Sequence, residues 1–176
     1  MTKKIEPPKI ETQCSHDRAC PVQELKPNPA NPNTHPPEQI NLLAKIIRLQ
    51  GWRSPIVVSN RSGFIVAGHG RYEAALILGV ESVPVNFQDF ASEADELAHL
   101  VADNRLAEIA EMDRVSLKEL LSEMDTGALD MDLTGFTQTE LETLMTQFHV
   151  PDDNEQLDED EMRKTSHECP KCGFKW

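Results

Sequence analysis

Ile65 to Ala75 reads IVAGHGRYEAA. An apolar run short enough for a strand breaks at Gly68-His69-Gly70, presents Arg71, and passes into good helix formers. Two glycines and a cation between a strand end and a helix start suit an anion. The opening turn of a helix carries unpaired N–H groups and the positive end of the backbone dipole. Gly68 and Gly70 let the backbone approach a ligand closely, and His69 and Arg71 can add charge or hydrogen bonds to phosphate oxygens. No Gly-Lys-Ser/Thr triplet follows, so the turn is not a P-loop. An ordinary glycine-rich turn with a surface arginine reads equally well from these residues alone.

The flanks extend the pattern. SPIVVSN, then the turn RSG, then FIVAG predict a β-hairpin leading into the GHGR turn. Upstream, five prolines and three asparagines across Pro27–Pro37 forbid helix and predict a stiff extended loop. Pro36 and Pro37 then open a helix of about three turns, with Ile40, Leu43, Ala44, Ile47 and Leu49 toward one face and Gly51 as its stop. VQELKP, from Val22, is expected to be a strand. After the turn, a helix ending at Gly79 places Ala74, Ala75, Leu76 and Leu78 inward, and SVPVNFQDF predicts another strand. Ser92 caps a long helix to about Ala110, and two shorter helices are predicted near Val115–Met124 and Thr137–Phe148.

The 176 residues provide for one ordinary domain with appendages. No apolar run is long enough to span a membrane and no secretory signal opens the chain, so a cytoplasmic protein without membrane contact is expected. The net charge of −13 is concentrated after the core, where residues 111–162 hold 2 basic and 16 acidic side chains. Such a segment repels nucleic-acid phosphate, so any direct DNA contact would have to come from the core, the tail or a partner.

The order of elements, with LKPNPANPN, PEQINLLAKIIRLQGWRSPIVV, GFIVAGHGRYEAALILGVESVPV and ADNRLAE, resembles the N-terminal domain of the ParB/sulfiredoxin superfamily across about residues 22–110. It is similar above all to short ParB-like proteins of phage and mobile elements that stand beside DNA methyltransferases. MDLTGF at Met131–Phe136 carries that likeness to about Phe148. The resemblance implies an α+β fold with a small mixed sheet and flanking helices. It also implies a pocket in which Gly68, His69, Gly70 and Arg71 cradle the phosphates of CTP or ATP, with Asp103 and Asn104 helping to hold Mg²⁺ and the triphosphate. Asn33 and His35 of the proline-rich loop are further candidates for that pocket.

This chain departs from the pattern at three places. The ParB turn reads GERR, and here His69 and Gly70 stand where its glutamate and first arginine stand. Asn33 replaces the loop arginine, and Arg105 directly follows Asn104 where the family has an arginine three residues on. These changes argue against clamp-type CTP hydrolysis. Sulfiredoxin chemistry is excluded because its turn needs a cysteine, and residues 21–168 contain none.

Cys169-Pro-Lys-Cys172-Gly has the form of a zinc knuckle, half of a tetrahedral site. Cys14 and His16 are the preferred partners, which would fold the N-terminal arm on the tail; two chains sharing one zinc through their knuckles would instead give a homodimer. The expected organisation is an arm at 1–21, the ParB/sulfiredoxin-like nucleotide-binding domain at 22–110, an acidic helical extension at 111–149, a disordered acidic linker at 150–164 and a zinc-binding tail at 165–176. The expected role is a nucleotide-binding accessory of phage or mobile-element DNA metabolism, beside a DNA-modifying or packaging partner. It is expected to hydrolyse the nucleotide weakly, as a weak NTPase, or not at all; a ParB-like DNA nuclease or small-molecule phosphotransferase, and a non-catalytic acidic adaptor, are the alternatives.

Overall fold

The computed structural model describes residues 8–146. The linker, the tail with Cys169 and Cys172, and the last residues of the helix expected to reach Phe148 lie outside the described residues. The chain divides into two units, Met1–Thr137 and Gln138–Trp176.

The first unit is built on a four-stranded mixed sheet in the order β1-β4-β2-β3. β2 (Ile56–Ser59) and β3 (Ile65–Ala67) form the expected antiparallel hairpin. α2 (His69–Leu78) returns the chain so that β4 (Ser82–Gln88) lies parallel to β2, with Ile56 opposite Val85. β1 (Arg18–Pro21) closes the far edge antiparallel to β4. α1 (Pro37–Gln50) packs on α2, and α3 (Glu93–Ile109) lies against β3.

Local chemistry accounts for the helix bounds. Pro37 opens α1, and Gly51, at φ 76°, closes it with its N–H on the Ile47 carbonyl. The Ser92 side chain accepts from the Asp95 amide at the start of α3, and Asp113 caps α4 (Arg114–Met124) through the Val115 and Ser116 amides. A 3-10 turn follows at Met131–Thr134, and Lys45 of α1 grips it through Asp130 at 2.8 Å and Asp132 at 2.7 Å.

The core joins both sheet and helices: Ile56, Val58, Ile65, Val83 and Val85 meet Ile40, Ala44, Ile47, Ala74, Ala75 and Leu78. Leu49 and Leu76, expected inward, are exposed. At about 100° per residue Leu76 stands about 200° around α2 from Ala74, on the opposite face. α3 buries Glu96 and Leu100 and leaves Val101, Leu106 and Ile109 exposed.

The strand expected at Val22–Pro27 is instead a 3-10 turn at Val22–Glu24, followed by an isolated bridge from Lys26 to Phe64. The strand pairing falls earlier, within the arm expected at 1–21. Asp17 accepts from the Phe87 amide at 2.7 Å, the Arg18 guanidinium lies 4.6 Å over the Phe87 ring, and Cys20 is buried. Farther out, the Trp52 amide donates to the Glu11 carbonyl and the Gln13 amide to the Trp52 carbonyl, both at 2.8 Å. In the second unit the structure describes α5 (Gln138–Thr146), whose threonines at 143 and 146 bond back to carbonyls one turn earlier.

Candidate functional site: an open anion corner at the start of α2

The turn after β3 is set by Gly68. Its φ of 94° lies in the left-handed region, where a side chain is strained, and a Cβ placed there would meet the Arg71 guanidinium at 2.8 Å. Glycine thus serves two ends: it turns the chain from β3 into α2, and it leaves room for Arg71 to fold back over the helix start. Gly68 has no side chain to cap the helix. The helical ladder begins with the Tyr72 amide donating to the Gly68 carbonyl at 3.0 Å, so the amides of His69, Gly70 and Arg71 precede it.

Arg71 is largely sunk into the protein. Its Nε is buried with no hydrogen-bond partner, the one such side-chain atom among the described residues. Burial lowers the guanidinium pKa, opposed by the negative charge of Asp103 and by Cys14. Arginine remains charged at any physiological pH, so the result is a partly desolvated cation whose Nε–H is unmatched. A buried unmet donor of this kind costs about 1–3 kcal/mol, which an incoming acceptor would recover.

A cavity of about 200 Å³ opens at this corner, lined by residues 68–71 together with Asn31, His35 and Asn104. Six sequence candidates therefore converge: Gly68, His69, Gly70, Arg71, His35 and Asn104. Asn104 Nδ2 donates one of its two N–H groups to the Leu100 carbonyl at 2.9 Å, which leaves the amide oxygen and the second N–H. Asp103 is exposed on α3 and acts on the site through its charge on Arg71. Asn33 does not line the cavity; its carbonyl accepts from Asn31 Nδ2 at 3.2 Å, and Asn31 takes the position in the lining. Sequence reading passed over Asn31 because one asparagine in an Asn/Pro-rich loop carries no local mark of its orientation.

His69 is turned to a different task. The ring is buried, and its Nε2 accepts from the Asn28 amide at 3.2 Å, fastening the proline-rich loop to α2. Burial pushes its pKa down, and the nearby His35 pushes it further, so the imidazole is neutral with its proton on Nδ1. It is therefore committed to the loop and does not supply a cation to the cavity.

Of the proposed zinc ligands, Cys14 and His16 lie among the described residues, and Cys169 and Cys172 lie outside them. Cys14 packs partly buried against the core, and its carbonyl holds the exposed His16 ring at 3.0 Å. No group of three or more His, Cys, Asp or Glu side chains is placed to hold a metal ion among the described residues. No helix among them is long and apolar enough to cross a membrane.

A second polar cluster, unmarked in the sequence, lies where the β2–β3 turn meets α3. Glu96, 3% exposed, accepts from the hydroxyls of Ser59 at 2.8 Å and Ser62 at 2.5 Å, with Arg61 at 3.6 Å. Burial alone would raise its pKa, but the bonds from Ser62 and Ser59 and the charge of Arg61 together hold it below the usual carboxylate value. These partners stand 34 to 37 residues away in sequence, which hides them from local reading.

Comparison with known proteins gives this geometry its relatives. The chain is 45% identical over 65 residues to the ParB-like nuclease domain-containing protein YnaK of Escherichia coli, a match covering 37% of this chain and 74% of that protein. It is 40% identical over 73 residues to a nucleoid occlusion protein of Halalkalibacterium halodurans, where the match spans only 26% of the relative. Among solved structures, C-terminally truncated ParB of Caulobacter crescentus, complexed with CTP-γ-S, shares the fold at a TM-score of 0.61 and 23% identity, covering 77% of this chain and 79% of that one. The model of the ParB N-terminal domain matches residues 9–105, which takes in β1, the hairpin, the GHGR turn and α3 as far as Arg105, and the chain belongs to that family.

Proposed function

We propose that the chain is a ParB-like nucleotide-binding accessory protein that holds CTP or ATP, with Mg²⁺, by its phosphates at the GHGR corner. The observation that carries this reading is the buried, unpartnered Arg71 Nε beside the free amides of α2, opening on a cavity. The cavity of about 200 Å³ fits phosphate groups and is smaller than a whole-nucleotide pocket, commonly at least ~300 Å³, so sugar and base would extend past it. The available amide oxygen of Asn104 and the exposed carboxylate of Asp103 are of the kind Mg²⁺ prefers, and the ion would neutralise phosphate charge beside them. The bound CTP-γ-S of the Caulobacter relative supports the choice of ligand.

In this reading nucleotide binding changes the oligomeric or partner state of the chain, beside a DNA-modifying or packaging enzyme of a phage or mobile element. The acidic extension favours a basic partner over DNA itself. Thermal-shift titration with each of the four nucleoside triphosphates and Mg²⁺ tests it: CTP or ATP raises Tm in a concentration-dependent manner. No response to any of them removes the proposal and leaves the acidic adaptor.

The name of the Escherichia coli relative favours one further reading, a metal-dependent nuclease. Conversion of supercoiled DNA to nicked or linear forms with Mg²⁺ or Mn²⁺ would establish it, and intact DNA would set it aside. Zinc held by Cys14, His16, Cys169 and Cys172 is proposed on ligand chemistry alone. A metal assay of the purified full chain decides it, about one zinc per chain or per pair of chains supporting it and none refuting it.

A further inference from the structure

His35 closes the proline-rich loop and stands directly before α1. Its Nδ1 lies 3.1 Å from Gln39 Oε1. An amide oxygen only accepts, so Nδ1 carries the ring proton, and the Nε2 of the neutral ring is a bare lone pair. That far edge of the ring, Cε1 and Nε2, lies 3.5 Å from where a Cβ on Gly70 would stand, over the first turn of α2. An alanine methyl at 70 would already touch the ring, and a longer side chain would displace it. Gly70 thus seats an imidazole at the same helix start that Arg71 covers from Gly68, and both side chains line one cavity.

We propose that His35 is the second cation of the anion corner, and that phosphate binding there takes up a proton at His35 Nε2. The inference rests on the nucleotide reading above. In the neutral ring the Nε2 lone pair opposes a phosphate oxygen; once protonated, the same atom donates a charge-assisted hydrogen bond. An anion seated between the Arg71 guanidinium and the imidazole attracts a proton to Nε2, so ligand and proton bind together. The ionisable groups at this corner are Arg71 and His69 on α2, with Asp103 of α3 and Cys14 acting on Arg71 through their charge; Glu38, in the first turn of α1, is near His35 in sequence. His69 does not compete for the proton, because its Nε2 already accepts from Asn28. Asn31 and Asn104 are neutral at every pH considered.

The test is calorimetric titration of the full chain with CTP and with ATP in Mg²⁺, at pH 6.0 and 8.0, in two buffers of different ionisation enthalpy. The wild type, His35→Gln and His35→Arg are compared, so that the titration of the nucleotide's own phosphates cancels between proteins. Relative to His35→Gln, the wild type takes up as much as about one additional proton and loses affinity by up to about tenfold per pH unit toward pH 8. His35→Arg, with a permanent charge, binds at pH 8.0 at least as well as the wild type and lacks the additional uptake. Equal proton counts and equal pH slopes in wild type and His35→Gln overturn the inference while the nucleotide site stands. Absence of binding by the wild type at both pH values overturns the nucleotide reading and this inference together.

Discussion

Two polar clusters sit on the β2–β3 hairpin and α3, and they are finished differently. At the turn end, Glu96 is buried with Ser59 and Ser62 hydroxyls on its carboxylate and Arg61 close by. At the α2 end, the half-buried Arg71 keeps a buried Nε that bonds nothing, beside helix amides that precede their ladder. Buried polar groups in folded proteins are nearly always satisfied, so the first cluster needs no ligand to explain it. The second keeps an unmet donor and a fixed charge next to a cavity, which is the condition of a site that a ligand completes.

The largest expected effect breaks the closed cluster. Glu96→Ala leaves the Ser59 and Ser62 hydroxyls without their acceptor and Arg61 with Glu93 alone, and destabilises the fold by about 3 kcal/mol. Chemical denaturation measures that loss, and below its lowered Tm the variant still responds to nucleotide. Arg71→Leu, at the open cluster, has the opposite profile. It removes a desolvated charge, so the Tm of the unliganded protein is unchanged or higher, while the shift produced by CTP or ATP disappears. A large fall in unliganded Tm would place Arg71 with Glu96 as a structural residue and cancel the contrast.

Acid sharpens the comparison further. The folded-state pKa of His69 is depressed, so its contribution is complete above the ordinary imidazole value of 6.5 and is lost as pH falls toward the lower folded value, because the unfolded chain takes the proton first. Glu96 is also depressed, and its contribution persists until pH falls below the ordinary carboxylate value of 4.5. A Tm-against-pH profile should therefore show an early loss that His69→Gln flattens and a later one that Glu96→Gln flattens. The smallest effect is expected at Lys45. Its bridges to Asp130 and Asp132 are solvent-exposed, so Lys45→Ala changes Tm little, and the difference fades with added salt.

The parts of this fold legible in the sequence are those with local causes. Pro36-Pro37 and Gly51 bounded α1, Ser92 marked α3, and RSG marked the hairpin. The strand at Arg18–Pro21 has its cause elsewhere in the chain: it exists because β4 offers a ladder and because Asp17 and Arg18 engage Phe87. Nothing within residues 8–21 records those partners. The candidate site was half legible for the same reason. Gly68 and Arg71 follow from the chemistry of a strand–helix turn, and His35 was within reach of it. The turning of His69 toward Asn28, the exchange of Asn33 for Asn31 and the whole Glu96 cluster depend on contacts over 34 residues or more, apart from the local Asn31–Asn33 pair.

The central claim is that the Arg71 Nε–H is kept for an anion. A ¹⁵N-selective spectrum of arginine Nε–H groups, with the Arg71 signal assigned by its loss in Arg71→Leu, observes that atom directly during addition of CTP or ATP with Mg²⁺. The account predicts a saturable shift of that resonance and slower exchange of its proton with water. Nucleotide binding that leaves the Arg71 signal in place, or no binding at all, would contradict it.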